Sequence, residues 1–304
     1  MAQKVSWKTY LVLIFCVTTW GSNFVFGAIL VGVFNPGLIA FTRLIFILIF
    51  LYFMAYKKIK VEKLTLKSYM WLALAGFIGI SINQWSFYAS LGHTDPITAA
   101  LILALSPIVT AILSKYYFRE RKSLNFWFGM LIGISGVWLV ITKGTFYIPI
   151  VGKGEALIFL TMLTFSVFLL FVQQLSKAIH PITITWYTNL FGFFGLFPFI
   201  KWSELDSMMA VPAKYWLLLA ATAVIMHGLC TMLWNNSIQQ VGASRAALLL
   251  NLEPFIAMIT SWLVLSNNVT SFQLLGGVII VIGVTTSLKV KKDPYKPSHL
   301  NQFL

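Results

Sequence analysis

The chain has 304 residues, 59% hydrophobic and 10% charged, with a formal net charge of +14. No soluble globular domain needs so much apolar surface, and successive long apolar runs mark an all-α polytopic membrane protein. The basic residues lie in short segments between those runs, where they report topology and contact with anionic lipid and argue against a nucleic-acid partner.

Lys4 and Lys8 precede the first apolar run, which contains Trp20 and has no small-residue cleavage site after it, so a retained first helix is expected rather than a signal peptide. A helix needs about 20 residues to cross the hydrocarbon. Reading for such runs predicts ten spans: Thr9–Val31, Gly37–Tyr56, Tyr69–Leu91, Ile97–Tyr117, Leu124–Thr142, Glu155–Leu175, Ile182–Ile200, Tyr215–Ile238, Ala246–Leu265 and Phe272–Leu288. Ten spans put both termini on one side. That side holds 17 of the 22 Lys and Arg residues, the opposite loops hold 4, and Arg43 lies within a span, so both termini are expected in the cytoplasm. The tail, residues 289–304, has prolines and polar residues but no apolar period, and reads as disordered. Cys16 and Cys230 fall within apolar runs, with no Cys or His spacing suited to zinc or a disulfide framework.

The chain also repeats itself. At an offset of 145, Pro36 falls on Pro181 and Trp71 on Trp216; at 147, Ala99-Ala100-Leu101 falls on Ala246-Ala247-Leu248, Ser106-Pro107 on Glu253-Pro254, Gly129 on Gly276 and Gly136 on Gly283. Each copy holds five spans, an odd number, so the second enters the bilayer from the opposite side. The expected organisation is therefore two inverted-topology five-helix repeats, residues 1–144 and 145–288, around a central cavity. Such an architecture places a solute site near the midplane and allows alternating access.

Several motifs carry a resemblance to a known family. They are Trp20-Gly21-Ser22-Asn23-Phe24, Ala99-Ala100-Leu101 with Ser106-Pro107 and Arg119-Glu120, and Ala246-Ala247-Leu248 with Leu252-Glu253-Pro254 and Gly276 to Gly283. Over residues 9–288 the chain resembles the EamA-type family of the drug/metabolite transporter superfamily. The resemblance implies a bacterial inner-membrane exporter of amino acids, related metabolites or drugs, with a cavity between the halves. The pattern departs at Asn267, where Glu120 of the first half would repeat.

Glu253 sits seven residues into its span, about 10 Å from the cytoplasmic end. A carboxylate at that depth is a candidate for proton coupling or for pairing with an amine-bearing solute; the alternative is a structural carboxyl bonded to a neighbouring helix. Arg43 is six residues into the second span, about 9 Å from the outer face, and reads as a carboxylate-binding or gate residue or as a snorkelling cation. These depths leave the two charges about 10 Å apart along the normal, so a direct bridge needs helix tilt. Ser81, Gln84 and Tyr88, with Asn83 and Trp85 beside them, form a polar stripe on the third span, matched by His227, Thr231 and Trp234 on the eighth. Both stripes are candidates for the cavity wall, with polar glue between helices as the alternative. Trp20, Ser22 and Asn23 are candidates by the same polarity. Pro107 and Pro254 are expected to kink two equivalent helices, and Gly129, Gly133 and Gly136 form a small-residue packing face.

No phosphate loop, nucleophile elbow or zinc-protease signature occurs, so neither catalysis nor ATP hydrolysis by this chain is expected, and no cofactor or metal is implied. The expected function is secondary transport, in the sense of export, of a small metabolite or amino-acid-like solute, with protons as a candidate coupling ion. The rivals are a channel with an open path and a membrane enzyme or receptor using the same cavity.

Overall fold

In hydrocarbon every backbone N–H and C=O must find a partner within the chain, so uninterrupted apolar runs fold as helices. The computed structural model describes residues 7–59, 64–118, 123–142, 144, 152–241 and 249–288. The first half comprises α1 (Trp7–Val31), α2 (Pro36–Ile59), α3 (Leu66–Gly76), α4 (Asn83–Leu91), α5 (Pro96–Leu103), α6 (Ser106–Phe118) and α7 (Leu124–Thr142). The second comprises α8 (Lys153–Leu175), α9 (Pro181–Gly195), the short α10 (Leu205–Met209), α11 (Ala213–Ala221), α12 (Cys230–Val241), α13 (Glu253–Leu265) and α14 (Ser271–Leu288). The tail from 289, the Arg119-Glu120 pair and the start of the predicted ninth span lie outside the described residues.

The protein is a multi-pass, all-α membrane protein. Among the described residues, six helical segments are long and apolar enough to cross a bilayer: Trp7–Val31, Pro36–Met54, Pro96–Tyr117, Leu124–Thr142, Lys153–Leu175 and Ala213–Trp234. Glu253–Leu265 and Ser271–Ser287 are shorter apolar helices. The predicted third span is helical from Leu66 to Leu91, but its second half carries Ser81, Asn83, Gln84, Ser86 and Ser90. The predicted seventh span stops early: its helix ends at Gly195, and a short 3-10 turn, Phe197–Phe199, follows around Pro198.

Two local departures from regular helix recur at the spacing of the sequence repeat. The backbone widens to a π-helical pitch, with each N–H reaching one residue further back, over Phe77–Ile82 and again over Thr222–Leu229. The chain also breaks before each Pro-containing helix. Leu105 N bonds Ile102 O at 3.1 Å and Val109 N bonds Leu105 O at 3.2 Å; 147 positions on, Leu252 N bonds Leu249 O and Ile256 N bonds Leu252 O, both at 3.0 Å. Pro107 and Pro254 thus sit in the first turn of a new helix, where the missing N–H costs little, rather than kinking a continuous one.

The most extensive helix pairing is α7 against α14. A Cβ placed on Gly136 would stand 2.9 Å from the Gly276 carbonyl oxygen, and one on Gly283 would stand 2.7 Å from the Gly129 carbonyl oxygen. Exchanging the two members of each repeat pair converts one contact into the other. The main buried cluster joins α2, α4, α5 and α7 to α8, α11, α13 and α14, whereas Phe53, Phe128, Leu131, Leu263 and Leu275 remain exposed on the outside as a lipid-facing surface requires.

Candidate solute site

Glycine decides how closely α1 approaches α13. A Cβ on Gly21 would stand 2.8 Å from the Glu253 carbonyl oxygen, so the two backbones are in contact and the polar residues around Gly21 are carried to the start of α13. Ser22 Oγ lies 3.1 Å from Thr260 Oγ1 across the same seam. One residue before Gly21, Trp20 Nε1 donates to Met226 O at 2.5 Å, and its ring lies 5.0 Å from that of Trp234 at 57°. Cys16, Cys230, Leu13 and Val17 are fully buried behind this aromatic pair, and Thr19 Oγ1 lies 3.1 Å from Cys230 Sγ.

Arg43 on α2 is 1% exposed, which rules out a snorkelled head group. Its Nη1 donates to Thr222 Oγ1 and its Nη2 to Thr222 O at 3.3 Å, and the guanidinium carbon lies 5.5 Å from the centre of the Tyr88 ring. Two of these attachments end on the π-helical stretch Thr222–Leu229, where Thr222 O accepts from Arg43 and Met226 O from Trp20. The Tyr88 hydroxyl faces the Asn23 amide; among the described residues Tyr88 Oη, Asn23 Oδ1 and Arg43 Nε are buried without a hydrogen bond of full geometry.

Glu253 is the first residue of α13, where the helix dipole favours a negative charge. Among the described residues its carboxylate has neither an ion-pair nor a hydrogen-bond partner, and it does not pair with Arg43. His227 lies within electrostatic reach of Arg43 and makes no hydrogen bond among the described residues. Gln84 and Thr231 are half-buried with their polar atoms similarly unspent. Asn83 is placed differently: its Nδ2 donates to Thr161 O at 2.8 Å and to Thr164 Oγ1 at 3.1 Å, tying α4 to α8. Ser81 likewise donates to Gly192 O at 2.8 Å and ties its stretch to α9.

The structure thus brings Arg43, Tyr88 and Asn23 together, joins Trp20 to Trp234, and sets Glu253 beside α1. Thr222 was not singled out in the sequence, because one threonine in an apolar run carries no polarity signal, and its repeat position is occupied by Phe77. No group of three or more His, Cys, Asp or Glu residues able to hold a metal occurs among the described residues.

Comparison with known proteins adds to this geometry. Residues 7–142 and 152–288 each match the EamA-like transporter family. The chain is 28% identical over 283 residues to the uncharacterized transporter YyaM of Bacillus subtilis (strain 168), covering 90% of this chain and 91% of that protein. It is 25% identical over 291 residues to the uncharacterized transporter YoaV of the same organism, covering 91% and 95%. A solved crystal structure at 13% identity shares the fold, with a TM-score of 0.61 over 90% of this chain and 94% of that one.

Proposed function

The chain belongs to the EamA-like transporter family of the drug/metabolite transporter superfamily, and from that premise we propose that it exports a small amino-acid-like metabolite by alternating access. In this reading ten spans form two five-helix repeats, residues 1–144 and 145–288, of inverted topology in a bacterial-type cell membrane, with both termini cytoplasmic. The observation that carries it is the reciprocal seam of α7 and α14, Gly136 on Gly276 and Gly129 on Gly283. The paired π-helical stretches and the paired breaks before Pro107 and Pro254 support the same two-fold relation. Two halves related in this way can rock about a central site and expose it to alternate sides.

The solute class follows from charges left unpaired inside the bundle. Arg43 lacks a carboxylate partner and Glu253 lacks a cation among the described residues, so a solute carrying both a carboxylate and an amine complements the pair. Trp20 and Trp234 offer aromatic faces to an apolar side chain, and Asn23, Gln84, His227 and Thr231 offer hydrogen bonds. In the absence of an amine, Glu253 takes a proton, which is how flux and a proton gradient become coupled. The residues that act are transport residues, and the reading assigns no covalent chemistry.

The test is counterflow. Purified protein in liposomes preloaded with one of a panel of unlabelled amino acids should transiently accumulate the labelled form of its solute. Flux that rises linearly with concentration and shows no exchange would indicate a channel and refute the carrier; recovery of the solute chemically altered would indicate an enzyme.

A further inference from the structure

A buried guanidinium has five N–H donors and a charge that must be met in every state of a carrier, including the empty one. Thr222 meets it here. Its hydroxyl donates to Leu219 O at 3.0 Å, which turns the oxygen's remaining lone pairs toward Arg43 Nη1, and its carbonyl accepts from Nη2 at 3.3 Å. Both acceptors are neutral. They solvate the cation without cancelling it, and no carboxylate among the described residues does so. Among the described residues, Arg43 Nε on a residue 1% exposed is left as a buried donor without an acceptor, and the Tyr88 hydroxyl, 0% exposed, faces only the neutral Asn23 amide and makes no hydrogen bond of full geometry. A carboxylate is the chemistry that matches this set: it neutralises the charge, takes two guanidinium N–H groups in a fork, and accepts the phenol proton.

We propose that Arg43, with Tyr88, is the receptor for the solute's carboxylate, and that Thr222 is the ligand that stands in for that carboxylate when the carrier is empty. The consequence for transport rests on the function proposed above; the binding chemistry does not. In the empty carrier, α2 and the Thr222–Leu229 stretch close on one another through Arg43 and Thr222. When solute enters, its carboxylate displaces the Thr222 oxygens from the guanidinium. Because the empty form has its own way to satisfy Arg43, it can return across the membrane without a counter-solute, and the carrier performs net export as well as exchange.

The experiment is a binding titration on the full-length protein in nanodiscs, read by thermal shift. The probes are the twenty common α-amino acids, the carboxamide of each and sodium chloride, tested on wild type, Arg43→Gln, Thr222→Val and Thr222→Ser. At least one amino acid should stabilise the wild type, while its carboxamide and chloride should not. Arg43→Gln should weaken amino-acid binding by about a hundredfold, as expected for loss of a buried charge-assisted contact. Thr222→Val, which removes the internal competitor and keeps the volume, should bind the amino acid about tenfold more tightly, and Thr222→Ser should restore the wild-type affinity. Opposite signs at Arg43 and Thr222 are the signature, because a residue that only supports the fold would weaken binding when altered. Equal stabilisation by the carboxamide or by chloride, or weaker binding in Thr222→Val, would overturn the proposal. Flux of an uncharged solute that ignores Arg43→Gln would also overturn it while leaving the transporter standing. Arg43-dependent carboxylate binding without flux would support the receptor and defeat the transporter.

Discussion

The α7–α14 seam yields the sharpest mechanical prediction, because two neighbouring glycines on one helix face different obstacles. A methyl added at Gly136 would stand 2.9 Å from the Gly276 carbonyl oxygen, 2.9 Å from Ile280 Cγ1 and 3.0 Å from Ile280 N. Two of those atoms are backbone, so the helices must separate along a seam held by close contact. A methyl added at Gly133 would meet only Leu105 Cδ2 at 3.0 Å and Ile108 Cδ1 at 3.2 Å, the far ends of flexible side chains that can turn aside. Both substitutions gain up to about 1 kcal/mol from alanine's better helix propensity. Overpacking costs about 1–3 kcal/mol where the surroundings can yield, and at least the upper part of that range where they cannot. Gly133→Ala should therefore be near neutral, and Gly136→Ala should be destabilised by about 2 kcal/mol. Steric trapping in micelles, or a thermal melt of the detergent-solubilised protein, would measure the difference. A Gly136→Ala protein as stable as Gly133→Ala would mean that backbone contact does not hold this seam, and would remove the main support for the two-fold relation.

Two further outcomes follow from the site. Trp20→Phe keeps a ring beside Trp234 but removes the donor to Met226 O; the melt should drop by an amount corresponding to about 1 kcal/mol, and an unchanged melt would show that the Trp20 bond contributes nothing. Glu253→Gln preserves shape and removes the only ionisable group of its segment, so export should lose its dependence on external pH while solute binding through Arg43 persists; an unaltered pH profile would exclude Glu253 as the coupling group.

Much of the molecule was legible from local chemistry. Apolar runs long enough to span hydrocarbon announced a multi-pass helical protein, and the recurrence of Leu105-Ser106-Pro107 as Leu252-Glu253-Pro254 marked two matching positions in the chain. Those positions proved to be helix breaks with proline in the next first turn, since polarity and period locate a proline but do not say on which side of it the hydrogen-bond ladder stops. The charge depths placed Arg43 and Glu253 apart, and in the structure they do not pair.

What the tertiary structure alone decided was the partner of each polar side chain. Arg43 finds Thr222 at a separation of 179 residues, Trp20 finds Met226 at 206, and Asn83 is committed to Thr161 and Thr164 on α8. The physical reason is that a side chain's polarity belongs to its own position, whereas its partner depends on which helix lies opposite and which carbonyls are free to accept. Here two of the accepting carbonyls, Thr222 O and Met226 O, lie in the π-helical stretch Thr222–Leu229, a change of pitch that leaves no mark in composition or hydrophobic pattern. Residue types and spacing determined the class and the candidate charges, and packing between distant segments determined how those charges are held.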